Sequence, residues 1–309
     1  MIHRSSIQAP GAVVVIRPHH FSPNQETASD NAYQRSAVGW DLTVVAQAAY
    51  DEVTMAATTL EEHGVTTHLF EDETTETPDS VFPNNWFSTH AGGHVALYPM
   101  YARNRRKERR QDVIEMLKQY YRVQDVIDYS GLEQDNIFLE GTGAMVLDHI
   151  DRVAYAIKSN RTDPLALERF CTHFNFEPMA FEAKDANGVA VYHTNVLMCI
   201  ATDFVLIGLD MISCPDRRQE IVRRFEQSGR EVIALSDQQV ANFAANAIEL
   251  QGATGRLLAL SARAYNVLTL PQKAIIERTV PLVPLHVPTI EMAGGSVRCM
   301  LAGIHLSAR

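Results

Sequence analysis

The sequence predicts an α/β fold made of five ββαβ units that close into a ring. Three observations predict it. Two short apolar strands, a helix and a further strand recur four times between residues 86 and 285. The two ends of the chain hold the parts of a fifth such unit. No linker or low-complexity stretch divides the 309 residues, so all five units fall into a single domain, 1–309.

The N-terminal part offers a strand at 13–16, a helix at 41–63 and a strand at 66–70. The helix is expected from Val44, Val45, Ala48, Ala49, Val53 and Ala56, which fall on one 3.6-residue stripe. Gly64 stands where a C-terminal cap belongs. The first complete unit has strands at 86–89 and 94–97, a helix at 104–119 and a strand at 123–127. The second has strands at 144–147 and 153–157. Its helix at 164–174 opens on Pro164, which suits a first turn, and its last strand is at 178–181. The third runs through strands 196–200 and 204–209, helix 215–228 and strand 231–235. The fourth has strands 247–250 and 257–259, helical segments 262–268 and 272–279, and strand 282–285. A last strand at 299–304 joins the N-terminal elements to complete the fifth unit. An α/β or α+β fold without the ring would accommodate the same elements, and spacing alone does not choose between them.

Composition narrows the function classes. Hydrophobic residues make up 46% and charged residues 21%, as in soluble globular chains. The longest apolar run, near Val196 to Ile200, stops at Thr202 and Asp203, far short of a membrane span. The opening MIHRSSIQAPG has no apolar core of a secretory signal. A net charge of −10 disfavours nucleic acid and anionic lipid as partners. The one basic cluster, Arg103, Arg105, Arg106, Lys107, Arg109 and Arg110, is interleaved with Glu108 and Asp112 and reads as a solvated helix face. Cys171, Cys199, Cys214 and Cys299 show neither CxxC nor metal-ligand spacing, which points to a reducing compartment, the cytoplasm, and to no metal.

Four segments place polar residues at the start of apolar strands, where loops gather on the rim of a scaffold. They are Phe82-Pro83-Asn84-Asn85-Trp86-Phe87-Ser88, Leu139-Glu140-Gly141-Thr142-Gly143, Tyr192-His193-Thr194-Asn195-Val196 and Gly294-Gly295-Ser296-Val297-Arg298-Cys299-Met300. Cys299 follows a glycine pair that lets the backbone approach a ligand; Cys199, between Met198 and Ile200, reads as a structural thiol. Glu140 lies between an apolar run and two glycines, an unusual place for a core carboxylate. Gly141-Thr142-Gly143 is no dinucleotide fingerprint, because a strand is expected after it. Asp72 to Pro78, polar and threonine-rich, reads as a surface loop or a lid. Cysteine, histidine and carboxylate together form a nucleophilic set if the fold brings them together.

On these four motifs in their order, the whole chain resembles the arginine deiminase and amidinotransferase superfamily, the penteins. The Asn84-Asn85 segment and Asn242-Phe243-Ala244-Ala245-Asn246 make it most similar to the citrulline-utilisation hydrolases. The resemblance implies a five-bladed, pseudo-symmetric α/β propeller with substrate in its central channel and neither metal nor organic cofactor. It implies Cys299 as nucleophile, His193 as general acid and base, Glu140 as holder of the terminal nitrogens, and Arg161 as anchor of the substrate carboxylate.

Asn85 and Asn195 stand where deiminases usually carry aspartate. A guanidinium is a cation that pairs with carboxylates, whereas a neutral ureido group matches amide donors and acceptors. The expected reaction is therefore attack of Cys299 on the ureido or guanidino carbon, with citrulline giving ornithine, carbon dioxide and ammonia. The alternatives on this scaffold are an arginine or agmatine deiminase, a methylarginine hydrolase or an amidinotransferase. A non-catalytic binding protein is the alternative of another class. Homo-oligomerisation is left open.

Overall fold

The computed structural model describes residues 6–309 apart from 29, 30, 32, 36–38 and 186. The chain enters on β1 (Ala12–Pro18), an apolar strand buried along nearly its whole length. Helix α1 (Leu42–Glu62) is capped by Asp41, whose side chain accepts from the Thr43 N–H. It ends at His63, and Gly64 takes φ +80, the left-handed cap that glycine adopts without strain. Its buried face is Val45, Ala49, Val53, Ala56 and Leu60. Val44, expected on that stripe, is 64% exposed, because the neighbouring Val45 takes the inward direction. Strand β2 (Thr66–Asp72) then pairs in parallel with β1, from Ala12↔Thr66 to Pro18↔Asp72.

Four more units follow. The first is β3 (Phe87–His90), β4 (His94–Leu97), α2 (Gln111–Tyr120) and β5 (Asp125–Asp128). The second begins with a one-turn helix, α3 (Gly141–Ala144), and continues through β6 (Met145–Asp148), β7 (Val153–Ile157), α4 (Pro164–Phe174) and β8 (Glu177–Phe181). The third is α5 (Thr194–Leu197), β9 (Met198–Ile200), β10 (Phe204–Ile207), α6 (Pro215–Gln227) and β11 (Glu231–Ala234). The fourth is α7 (Asp237–Ala241), β12 (Ile248–Gly252), β13 (Gly255–Ser261), α8 (Ala262–Val267), α9 (Leu270–Glu277) and β14 (Leu282–Leu285). Finally α10 (Val297–Met300) leads into β15 (Ala302–Gly303), which pairs antiparallel with β1.

The described strands form five three-stranded sheets, and all five share one topology: an outer strand antiparallel to the middle one, and a third strand parallel to it. The antiparallel step needs only a short connection, and the parallel step needs a helical crossover. Apolar clusters join each sheet to the next. One links β1 and β15 with β3, β4 and α2. A second links β4 with β6, β7 and α4. A third runs from β7 through β9 and β10 to β13, and a fourth returns from β12–β14 to β1, α1 and α10.

Five expectations need correction. Residues 104–119 are not one helix: a 3-10 turn (Asn104–Glu108) is separated from α2 by extended Arg109 and Arg110. The break lets Arg105 turn inward, where it is 2% exposed and grips Glu108 through two N–H groups at 2.9 Å. Arg109 meanwhile reaches Glu133 at 2.5 Å, so the basic cluster is not a solvated face. Residues 299–304 form a helical turn and a two-residue strand, not a full strand. The beginnings of the strands expected at 144–147 and 196–200 are likewise helical, in α3 and α5. Within four apolar residues, a single turn and a strand have no distinguishable period. Asp72 accepts from Thr74 and Thr77 at 2.7–3.1 Å, which ties down the 72–78 loop.

Candidate active site

The outer strands β3, β6, β9, β12 and β15 are all entered through a polar segment. Asn85 closes the 3-10 turn (Pro83–Asn85) before β3, and Glu140 precedes α3 and β6. His193 and Asn195 lie at the start of α5 before β9, Asn246 stands two residues before β12, and Cys299 lies in α10 before β15. The shared topology carries these five entrances to one place.

Two contact groups result. In the first, the Glu140 carboxylate meets His193 Nε2 at 2.8 Å and the Arg161 guanidinium at 3.4 Å. Glu140 also accepts from the Tyr101 N–H at 3.0 Å and lies 3.8 Å from Arg105. Burial pushes its carboxyl upward, but Arg161, the His193 hydrogen bond and Arg105 outweigh this and hold it well below the usual carboxylate range. Burial depresses the His193 imidazole, and Glu140 only partly offsets that. With Glu140 ionised and His193 neutral, Nε2 carries the proton that Glu140 accepts, and Nδ1 keeps a lone pair.

Gly143 packs between His193 and Asn85. A Cβ there would sit 2.9 Å from His193 Nδ1 and 2.1 Å from the Asn85 amide, so only glycine fits. The Asn85 carboxamide turns its oxygen to Arg105, accepting from Nη1 and Nη2 at 3.0 and 3.2 Å. Its NH2 group is therefore left on the Gly143 and His193 side.

In the second group, Cys299 Sγ accepts from the Asn195 and Asn246 amides at 3.2 and 3.3 Å. Asn246 is held in turn: its Nδ2 donates to the Asn195 carbonyl, and its Oδ1 accepts from the Arg298 N–H, both at 3.0 Å. The Asn195 side-chain oxygen is buried and has no hydrogen-bond partner among the described residues. The segment 192–195 joins the groups. Tyr192 packs at a tilt on His193 at 4.7 Å, lies under the Arg161 cation at 4.9 Å, and donates its hydroxyl to the Gly294 carbonyl at 2.8 Å.

All six residues singled out from sequence are thus found in these groups. Arg161 faces Glu140 and is 1% exposed. Cys299, His193 and Glu140 are 4%, 3% and 0% exposed. The described part of residues 21–35 covers them. Asn31 donates to the Ala293 carbonyl at 3.0 Å, and Tyr33 packs on Tyr192 and Phe243. Sequence reasoning missed Asn246, Arg105 and Tyr192. Asn246 carried a signal, since it stands two residues before its strand as Asn85 does before β3. Arg105 carried none, because a basic run with interleaved acids does not reveal which member turns inward. No group of three or more His, Cys, Asp or Glu residues able to hold a metal occurs among the described residues.

A family model described as N,N dimethylarginine dimethylhydrolase, eukaryotic, matches residues 17–306. No curated protein sequence matches the chain. Among solved structures, the substrate-bound N-terminal domain of ArgZ, a cyanobacterial arginine dihydrolase, superposes with a TM-score of 0.73 at 16% identity. The match covers 95% of this chain and 97% of that one. AgrE in complex with ornithine and NAD+ gives 0.74 at 16% identity, covering 96% and 40%. DDAH from Pseudomonas aeruginosa, complexed with citrulline, gives 0.63 at 13% identity, covering 96% and 99%. The chain spans about 40% of the length of full-length ArgZ. At these identities the superpositions establish a common fold.

Proposed function

We propose, from the premise that this chain belongs to the eukaryotic-type N,N dimethylarginine dimethylhydrolase family, that it is a cysteine hydrolase of C–N bonds whose substrate is the neutral ureido group of citrulline. The observation that carries the substrate is the state of two amides. Asn85 has its oxygen held by Arg105 and so turns its NH2 group, a donor, to the Gly143 and His193 side, and the Asn195 oxygen is buried beside Cys299 without a donor among the described residues. A ureido group supplies both complements, a carbonyl oxygen for the first and an N–H for the second. A guanidinium supplies only donors, and would leave the Asn85 NH2 facing another donor.

In the proposed first step the Cys299 sulfur attacks the ureido carbon and its proton passes to His193 Nδ1. The imidazolium then protonates the departing nitrogen as the C–N bond breaks. The Asn195 and Asn246 amides stabilise charge on the sulfur, and Glu140 stabilises the imidazolium. In the second step water gives a proton to His193 and adds to the same carbon. The C–S bond breaks and the thiol is restored. The product released from the sulfur is a carbamic acid, which loses carbon dioxide as its remaining C–N bond breaks, so that citrulline yields ornithine, carbon dioxide and ammonia. Arg161 is assigned to the substrate carboxylate, which requires it to share its guanidinium with Glu140.

The five sheets are read as blades of a closed propeller, and 1–309 as one catalytic domain with its last blade made by both ends of the chain. No described helix is long and apolar enough to cross a membrane; a cytoplasmic location belongs to the proposal.

A second reading has a specific basis. The matched family is named for methylated arginine, and ArgZ for arginine, and the ionised Glu140 would suit a guanidinium. Incubation with citrulline, arginine and dimethylarginine, scored for ornithine, citrulline and ammonia, separates the two. Ornithine from citrulline at the highest kcat/KM supports the ureido reading. Turnover confined to guanidinium substrates removes it.

A further inference from the structure

Bordering the site is a second internal space, a cavity of about 50 Å³. Cys299, His193 and Glu140 do not line it; Arg298, Thr142, His149, Glu249 and His305 do. The wall is shared at two points, since Arg298 precedes Cys299 and Thr142 lies two residues beyond Glu140. By the usual volume per enclosed water, the space holds about three or four waters or one small ion.

The chemistry of the lining is unbalanced. Arg298 donates to the Leu301 carbonyl at 3.1 Å. Among the described residues no carboxylate lies within ion-pairing distance of it. Burial, the largest influence, pushes its guanidinium pKa down, as expected where a cation lacks a counter-ion. Glu249 is a carboxylate on the same wall, but its oxygens are taken by Arg256 at 2.8 Å and by Thr202 at 2.6 and 2.8 Å. His149 stacks on His305 at 3.9 Å, and the His149 ring nitrogens have no hydrogen-bond partner among the described residues. Apart from its bond to Leu301, the Arg298 guanidinium lacks a carboxylate partner among the described residues, and with the His149 ring it lines a small space. Such an arrangement is costly unless an acceptor fills it.

We propose that this cavity is a binding site for one planar, monovalent oxyanion of one carbon, bicarbonate or carbamate, held by Arg298 and His149. Planarity suits the fork of a guanidinium, and a single negative charge matches the single cation without a counter-ion. A tetrahedral dianion matches neither the planar fork nor the single cation. The identity of the anion rests on the proposed function, in which the carbon attacked by Cys299 leaves as carbonate chemistry one residue away from Arg298. The existence of the site does not rest on it.

The test is NMR of the histidine ring C–H groups at pH 8, with sodium bicarbonate titrated into the intact protein. The expected result is a saturable shift of the His149 and His305 signals that sodium sulfate and sodium chloride do not reproduce. In Arg298→Met the apparent affinity falls at least about tenfold, the loss of a charge-assisted contact. If Arg298→Met does not fold, Arg298→Lys takes its place and also weakens binding, because an ammonium cannot form the fork. In a second arm, ureido-13C-citrulline is turned over, and its labelled one-carbon product shifts the same signals. Absence of a saturable shift overturns the site. So does unchanged affinity in a folded Arg298 variant, or an equal response to sulfate and chloride. A chain that binds bicarbonate but does not turn over citrulline keeps the site and loses the functional reading; the reverse outcome loses the site alone.

Discussion

Two amide nitrogens, from Asn195 and Asn246, converge on the Cys299 sulfur, and the three residues lie at the mouths of three different sheets. Donors placed this way hold the sulfur and strengthen their bonds to it as it reacts. Removing one costs about the value of a charge-assisted hydrogen bond. Asn246→Ala should therefore slow iodoacetamide alkylation of Cys299 at neutral pH by roughly tenfold or more, read by mass spectrometry of the modified peptide. Cys299→Ala should lower kcat by about three orders of magnitude or more while the thermal unfolding midpoint barely moves. Retained activity would remove the mechanism. Asn85→Asp with Asn195→Asp replaces two amides by anions and should shift the kcat/KM ratio from citrulline toward arginine. Asn85 carries the greater part, because its carboxylate would still accept from Arg105 and present a second oxygen to a guanidinium. An unchanged ratio would count against charge matching.

At the level of elements, the sequence was readable wherever a cap or a proline marked an end. Helix α4 starts on Pro164 and ends at Phe174 as expected, and α1 lies between its Asp41 cap and Gly64. Gly64 is strict in its demand. At φ +80, a Cβ would lie 2.4 Å from that of Ala253. Gly64→Ala should cost about 1–3 kcal/mol, measured by urea denaturation. Reading failed where tertiary contacts override local pattern. The turn of Arg105 toward Glu108 splits the helix expected at 104–119, and this pairing depends on a cavity that only the assembled fold creates. The one-turn helices α3, α5 and α10 escaped for a different reason: they are shorter than the period that would identify them. Those same turns present Cys299 and Asn195, so the residues of the site were legible although the local backbone that aims them was not.

For the molecule as a whole, acid should act through three histidines. His90 and His149 are buried and His305 is half-buried, and loss of solvent is the chief cause that depresses all three pKa values, His305 to about 4. His94, Arg152 and Arg298 face one or more of them and add to the effect. An unfolded chain takes up these protons near pH 6.5, whereas the folded one resists until much lower pH. Their contribution is therefore complete above pH 6.5 and declines as pH falls toward about 4. Thermal melts between pH 7 and 4.5 should show a falling midpoint, with a shallower slope in His305→Gln. Glu140, depressed below its unfolded value, acts in a separate window at still lower pH.

The pairing of Val13 and Val14 with Gly303 and Ala302 has a further consequence. During synthesis the edge of β1 stays without its neighbour until nearly three hundred residues have followed it, and the Cys299 sulfur lies beside the segment that finally arrives. A nascent chain therefore passes through a long interval with an open strand edge, the condition that invites association with other chains. On the proposed chemistry, competence comes at the end of that interval, so a stalled or truncated product would be sticky but inert.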